Sequence, residues 1–383
     1  MPSRTRRGRA GSATPAAGHA AAPRSRSRSE QLPEEAPGPP SERPPGPADE
    51  ASPAQGPVAP ANRHHGPGPL PRGLLAGAAA LLGAWSATTV LDRVGLDRLD
   101  LLLVGLATTA PATVVLAVPV VTAAVRRRRW ITAAVAAAAG LLPWLFVLGY
   151  AVPGPPADAA AAPVRAMLVD ADRGGADPPS LVATVLEQGV DVLVVTGLSS
   201  SMAHDLTVAG LDGHLRPRWV DVPTDGSPAG TGLWSRADVT GIEPVRGTTT
   251  PAVRALLQGK APLTLVAGRA ASPQDVGVAR WRADLDVLGG AARSPGPVAV
   301  LGNLDATPWQ PEFRRLTGSG LSDAADAAGR GLRSTWPSWS PVPLLPVDHV
   351  LVGGGVDARD VETIPLAGTD HRALVVTLLV PPG

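Results

Sequence analysis

Three short segments in the carboxy-terminal half gather the side chains best suited to chemistry: Gly302-Asn303-Leu304-Asp305, Val347-Asp348-His349 and Thr369-Asp370-His371-Arg372. Carboxylates hold hard divalent cations through oxygen, and an imidazole oriented by a carboxylate can set positive charge against a developing oxyanion. Arg269, just after an apolar run at residues 263–267, offers a planar fork of donors to a phosphate or a carboxylate. Asp170, at the end of an earlier apolar run, adds another acid. Hydrolysis at an anionic centre needs such groups: carboxylates for a cation, a base for water, and cationic donors at the remaining oxygens.

Short apolar runs divided by Gly, Pro and Asp must position these groups. Residues 164–169 and 192–195 predict buried strands with a helix at 180–188 between them, and 232–234, 263–267, 298–301, 348–352 and 373–380 predict more strands. Helical spacing recurs at 280–288 and 311–316. Mixed elements over residues 164–383 give one α/β domain with a layered core. Gly353-Gly354-Gly355 closes a strand turn and lacks the strand-to-helix context of a phosphate loop.

The chain ahead of that domain is different. Residues 1–70 are Pro, Ala, Gly, Ser and Arg with almost no large apolar side chain, which predicts a disordered tail. Its early arginines read as a solvated flank, and His64-His65 is too short for a metal site. Residues 71–152 predict a membrane region of three helices at 74–91, 99–125 and 130–152, each near or above the roughly 20 residues that cross a bilayer core. Trp130, Trp144 and Tyr150 fall near the ends of the third block, where interfacial aromatics sit. Arg126-Arg127-Arg128-Arg129 should keep the second connection cytoplasmic, placing the amino-terminal tail inside and everything beyond residue 152 outside a multiply crossed cell membrane. Gly73 and Gly77 have the small-residue spacing of associating helices. A Pro/Ala stretch at 153–163 then links to the domain at 164–383.

Composition excludes several functions. The 34 basic residues against 33 acidic ones give no basic field, and one Tyr and two Phe beside nine Trp leave little to stack on bases. Specific nucleic-acid binding is therefore not supported, and Trp281, Trp309, Trp336 and Trp339 are expected in core or rim packing. Without cysteine there is no disulfide, thiolate metal site or cysteine nucleophile. Arg in place of Lys throughout, save Lys260, with abundant Ala, Gly and Pro, suggests a GC-rich genome.

The order of Ala176-Asp177-Pro178, Gly230-Thr231-Gly232-Leu233-Trp234-Ser235-Arg236, Trp281-Arg282-Ala283-Asp284-Leu285, Ala306-Thr307-Pro308-Trp309, Thr335-Trp336-Pro337, Asp348-His349-Val350-Leu351 and Asp370-His371-Arg372 resembles the endonuclease/exonuclease/phosphatase superfamily, in particular its membrane-anchored bacterial members. The resemblance covers about residues 164–380. It implies a four-layered α/β sandwich, here preceded by three transmembrane helices, that hydrolyses phosphoesters, usually with Mg²⁺. By the same resemblance His371 stabilises the phosphoryl transition state, Asp348 orients it, Asp370 lies on the metal side, Arg269 takes the place of a phosphate-contacting His, and His349 is structural.

Other positions depart from the family pattern. Its Asn at the end of the first strand is Asp170 here, its metal-binding Glu is Gly197, and its Gly-Asp-x-Asn has become Gly302-Asn303-Leu304-Asp305. An amide at 303 cannot accept a proton as the general base. One reading is a degenerate domain without a cofactor, retained for binding or for scaffolding an extracytoplasmic protein partner. The other is an active enzyme for a phosphoester substrate, in which Asp170, Asp305 and Asp370 hold Mg²⁺ and Asp305 stands in as base. Outside phosphate chemistry, Asp305 caps the segment starting at Thr307-Pro308, Asp170 and Asp172 build a turn with Arg173-Gly174-Gly175, and Asp348, Asp370 and His371 tie strand ends together. An enzyme predicts these acids converging on a cleft with Arg269 facing it; a scaffold predicts Arg269 paired to a carboxylate.

Overall fold

The computed structural model describes residues 73–91, 97–154, 158–224, 227 and 229–382, so the tail expected at 1–70 lies outside the described residues. Among the described residues four apolar helices come first: α1 (Leu74–Ala87), α2 (Asp97–Thr109), α3 (Thr113–Arg126) and α4 (Trp130–Leu145). A single 3₁₀ turn at Ala110–Ala112 joins α2 to α3, and together they make a rod, Arg98–Arg126, of 29 residues that is long and apolar enough to cross a membrane. Helices α1 and α4 have 14 and 16 residues, short of the roughly 20 that a full crossing needs. The three spans expected at 74–91, 99–125 and 130–152 thus become one full-length rod and two shorter helices. The ends have local causes: the Thr88 and Thr89 hydroxyls donate back to the carbonyls of Trp85 and Ser86 at 2.6 and 2.7 Å, and α4 carries Pro143 in its last turn. Helices α1, α3 and α4 meet along Ala79, Ala117, Ala136 and Ala139. Close approach needs Gly140, where a Cβ would stand 2.9 Å from that of Ala117, whereas Gly73 and Gly77 face open space.

Among the described residues twelve strands form two stacked sheets. The first contains β1 (Ala162–Asp170), β2 (Val192–Leu198), β3 (Arg216–Asp221), β4 (Gly230–Ser235), β11 (Asp357–Pro365) and β12 (Arg372–Val380), in the order β11-β12-β1-β2-β4-β3. The second contains β5 (Val239–Pro244), β6 (Val253–Leu257), β7 (Leu263–Ala267), β8 (Val298–Asn303), β9 (Leu321–Asp323) and β10 (Asp348–Gly353), in the order β5-β6-β7-β8-β10-β9. Strands β2, β4, β7, β8 and β10 are buried along their whole length, so none alternates apolar with charged residues. Between the sheets Leu168, Val194 and Leu233 pack with Leu265, Leu301 and Val350. Helices α5 (Pro178–Glu187) and α6 (Ser200–Val208) cover the first sheet, and α8 (Val278–Ala291) and α9 (Pro311–Thr317) cover the second, with short helices α7 (Pro273–Val276) and α10 (Ala324–Ala327) at its margins. Sheets and outer helices give the four-layered α/β sandwich.

The apolar helices lean on this sandwich at one end. Val104 of α2 is buried with Trp281 and Phe313, while Val147 and Tyr150, beyond α4, join the core between the sheets. Gln310 Nε2 donates to Thr108 Oγ1 at 2.8 Å, and Arg314 donates to the Thr89 carbonyl and lies 3.9 Å over the Phe146 ring. Thr89 just beyond α1, the Val104–Thr108 end of α2 and the end of α4 therefore share one side.

Candidate functional site

Strand directions bring the chemical groups to one end of the sandwich. Parallel β1 and β2 end there at Asp170 and Gly197, β8 ends there at Asn303, and antiparallel β10 and β12 begin there beside Asp348 and His371. Asp170, 1% exposed, is surrounded by donors: Thr196 Oγ1 at 2.9 Å and Asn303 Nδ2 at 2.8 Å reach its Oδ2, and the Asp172 amide reaches its Oδ1 at 2.9 Å. Asn303 uses both ends of its amide, since its Oδ1 accepts from the Asp305 N–H at 2.9 Å. An acid and an amide thus stand in contact at 170 and 303, with the two residue types exchanged relative to the pattern the resemblance implies.

Arg269 occupies the space between two acids. Its Nη1 lies 3.5 Å from Asp170 Oδ2 and its Nη2 3.7 Å from Asp305 Oδ2, and burial leaves only 20% of the side chain exposed. Burial alone would raise the pKa of Asp170; Arg269, then His371 and the hydrogen bonds from Asn303 and Asp172, outweigh it and hold the carboxyl below its ordinary value. Asp305 goes the other way: burial pushes its pKa up to about 6 despite the pull of Arg269. Its backbone has φ +45°, and it caps no helix, since α9 starts after Gln310, whose side chain accepts from the Thr307 N–H at 2.7 Å. The turn reading for Asp170 holds, with Asp172, Arg173 and Gly174 all at positive φ behind its carboxylate.

The carboxy-terminal half forms a second charged pair. His371 Nδ1 donates to Asp348 Oδ2 at 2.7 Å, and its Nε2 is 3.5 Å from Asp370 Oδ1. Burial opposes its charge, but Asp348, Asp170 and Asp370 raise its pKa to about 10, so it is an imidazolium at neutral pH. Asp370 Oδ2 accepts from Trp336 Nε1 at 2.8 Å. His349 is structural: its ring nitrogens contact Asp323 Oδ2 at 2.6 Å and the carbonyls of Ala306 and Pro346 at 2.9 and 3.0 Å, away from the other acids. Asp305 and His371 line a cleft of about 260 Å³, together with Trp336, Leu345 and, from α2, Val104 and Thr108.

The family model described as "Endonuclease/Exonuclease/phosphatase family" matches residues 169–371. The chain belongs to the endonuclease/exonuclease/phosphatase family. Similar solved structures include a humanized TDP2 from D. rerio, with 15% identity, 56% of this chain and 98% of that one covered, and a TM-score of 0.48. Family proteins from Beutenbergia cavernae (18% identity, 57% and 72% covered, TM-score 0.42) and Bacteroides vulgatus (14% identity, 57% and 100% covered, TM-score 0.46) are also similar. No curated protein matches the chain.

The family implies a divalent cation, and the residues present do not fit one. Asp170 is saturated by its donors, a guanidinium lies between it and Asp305, and Asp370 is turned to Trp336 and His371. Among the described residues no group of three or more His, Cys, Asp or Glu side chains could hold a metal ion. Gly197, at the family's Glu position, sits in a strand irregularity with φ +65°, and a Cβ there would stand 2.8 Å from Asp170 Oδ1. Buried oxygens without hydrogen-bond partners remain on Asp305 (Oδ2), Asp348 (Oδ1) and Asp370 (Oδ1). Sequence reasoning missed Thr196 as a donor to Asp170, and Thr369, whose hydroxyl donates to the Asp170 carbonyl and accepts from the His371 N–H. Each flanks a recognised position, which was the only signal for it.

Proposed function

We propose that this family member is anchored in a membrane with its sandwich outside the cell, and that its site is catalytically degenerate and acts by binding. The observation that carries the reading is Arg269 lying between Asp170 and Asp305, an internal cation where the family would place an external one. Arg269 and His371 remain as donors suited to a phosphate-bearing ligand. Anchoring is supported by the 29-residue apolar rod and by outward-facing Leu81, Val115 and Ile131, each more than two-thirds exposed. Orientation is supported by the arginines 126–129, which lie at the end of the rod away from the sandwich.

A second reading, hydrolysis by a rearranged site, is favoured by the retained Asp348–His371 pair and by the orphaned carboxylate oxygens. Calorimetric titration of the full chain with Mg²⁺ and Mn²⁺, followed by assay on a generic phosphodiester, separates the two. We expect no saturable heat and no turnover that Asp370→Ala or His371→Ala reduces. Metal-dependent turnover lost in both variants would overturn degeneracy.

A further inference from the structure

The loop between Trp336 and Leu345 carries three of the seven large apolar side chains that are exposed among the described residues of the sandwich: Trp339 at 79%, Val342 at 71% and Leu344 at 64%. Isolated exposed apolar residues are ordinary, but three within six positions form a patch that calls for an occupant. The loop is also firmly built. Ser338 donates through its N–H to the Asp370 carbonyl at 2.6 Å and through its hydroxyl to that of Thr369 at 2.8 Å. Arg372 Nη2 donates to the Ser340 carbonyl at 2.9 Å, and the Leu344 N–H to that of Trp336 at 2.9 Å. The apolar tip is thus fixed to the segment that carries Asp370 and His371.

Its neighbour across the cleft identifies the occupant. Leu345, next to the exposed tip, lines the same cleft as Val104 and Thr108 of α2. The rod that begins with α2 has 29 residues, which at about 1.5 Å each is about 43 Å, against roughly 30 Å of bilayer core. Counting back from Arg126, the core takes the rod to about residue 106, so the turns bearing Leu101 and Val104 stand at the headgroup level and Thr108, two residues further along, at its inner edge. There they pack on the sandwich, which places the cleft and the loop beside the bilayer surface. A tryptophan with apolar companions suits that interfacial depth.

The geometry points to a membrane-dipping loop: Trp339, Val342 and Leu344 enter the outer leaflet of the bilayer that holds the chain's own helices, so that the cleft opens among lipid headgroups. This rests on the membrane-anchored reading above, and it narrows the cleft's ligands to phosphoester groups presented by lipids. Val208, 72% exposed, belongs to α6 on the first sheet, whereas the helices contact the side of the second.

The absence of cysteine allows single labels to test this in the full chain reconstituted into phosphatidylglycerol/phosphatidylethanolamine vesicles. Trp339→Cys, Gln274→Cys on the cleft rim, Leu81→Cys on α1 and Val208→Cys would each carry an environment-sensitive fluorophore. We expect blue-shifted emission at 339, quenched by nitroxides on the upper acyl chain; quenching at 274 by headgroup nitroxides only; deep quenching at 81; and none at 208. Quenching at 81 without any at 339 would overturn the dipping loop while leaving the anchor intact. Loss of quenching at 81 as well would overturn the anchor itself. A blue shift at 339 that grows with protein density and ignores lipid nitroxides would assign the patch to a second copy of the chain and equally overturn the proposal.

Discussion

The contact between Asp170 and Asn303 turns two apparent losses into one exchange. Either residue alone would read as damage to a family motif, yet together they keep an acid and an amide 2.8 Å apart in a buried place. Asn303→Asp alone sets two buried carboxylates against each other and should cost about 3–5 kcal/mol, the range for an uncompensated buried charge. Asp170→Asn alone removes the main partner of Arg269 and should be similarly harmful. The double exchange should recover much of both losses, and thermal melts of the four proteins measure the coupling. Simple additivity would show that the pair is not a unit. Asp305 offers a test through pH. Its folded pKa, raised from 3.8 to about 6, means that the stability it contributes is fully present below 3.8 and is lost as pH rises through about 6. Asp305→Asn carries no such charge, so it should gain on the parent protein between pH 4 and pH 7 by up to about 3 kcal/mol. A difference that does not change with pH would contradict the burial of that carboxylate.

At the scale of elements, the bend at the end of β2 decides whether the lost metal ligand is recoverable. Gly197 combines φ +65° with a Cβ position 2.8 Å from a carboxylate oxygen that the Asp172 amide holds in place. Gly197→Glu should therefore lower stability by about 1–2 kcal/mol from backbone strain alone, with the clash adding to it, and should confer no Mg²⁺ heat. Unimpaired stability together with new metal binding would mean that β2 relaxes easily to the family geometry. The strands that were legible in the sequence, β1, β2, β4, β7, β8, β10 and β12, are those wholly or largely buried, because burial on both faces leaves short apolar runs. The outer strands were not legible: β3 and β5 are mostly exposed, and β11 has a bulge between Arg359 and Glu362 that breaks its alternation. In the site, the Asp348–His371 pair was expected from the family resemblance. The Asp170–Asn303 contact spans 133 positions, so no local pattern could announce it, and of Arg269 only pairing to a carboxylate was expected, on the scaffold reading, not the double pairing with Asp170 and Asp305.

Over the whole molecule, the apolar helices and the sandwich share cores rather than meeting through a passive linker. Composition marks residues 153–163 as the place where the chain becomes irregular, but packing continues across it. Tyr150 is 6% exposed among side chains from both sheets, and Val104 is 2% exposed beneath α8. The helices therefore complete the surface that carries the cleft, and the sandwich cut free of them would expose what they cover. Tyr150→Ala in the full chain isolates this effect, since it removes one large buried side chain without touching the cleft. Truncation of a buried aromatic costs about 3–5 kcal/mol, and each kcal/mol lowers the melting temperature of a domain this size by roughly 2–4 °C. The sandwich should melt earlier by roughly 6–20 °C when followed by near-ultraviolet signals of its buried tryptophans, such as Trp234 and Trp281. If Tyr150→Ala leaves that transition unmoved, the core around Tyr150 does not couple the helices to the sandwich, and the placing of the cleft against α2 would then depend on Val104 and the contacts at Gln310 and Arg314.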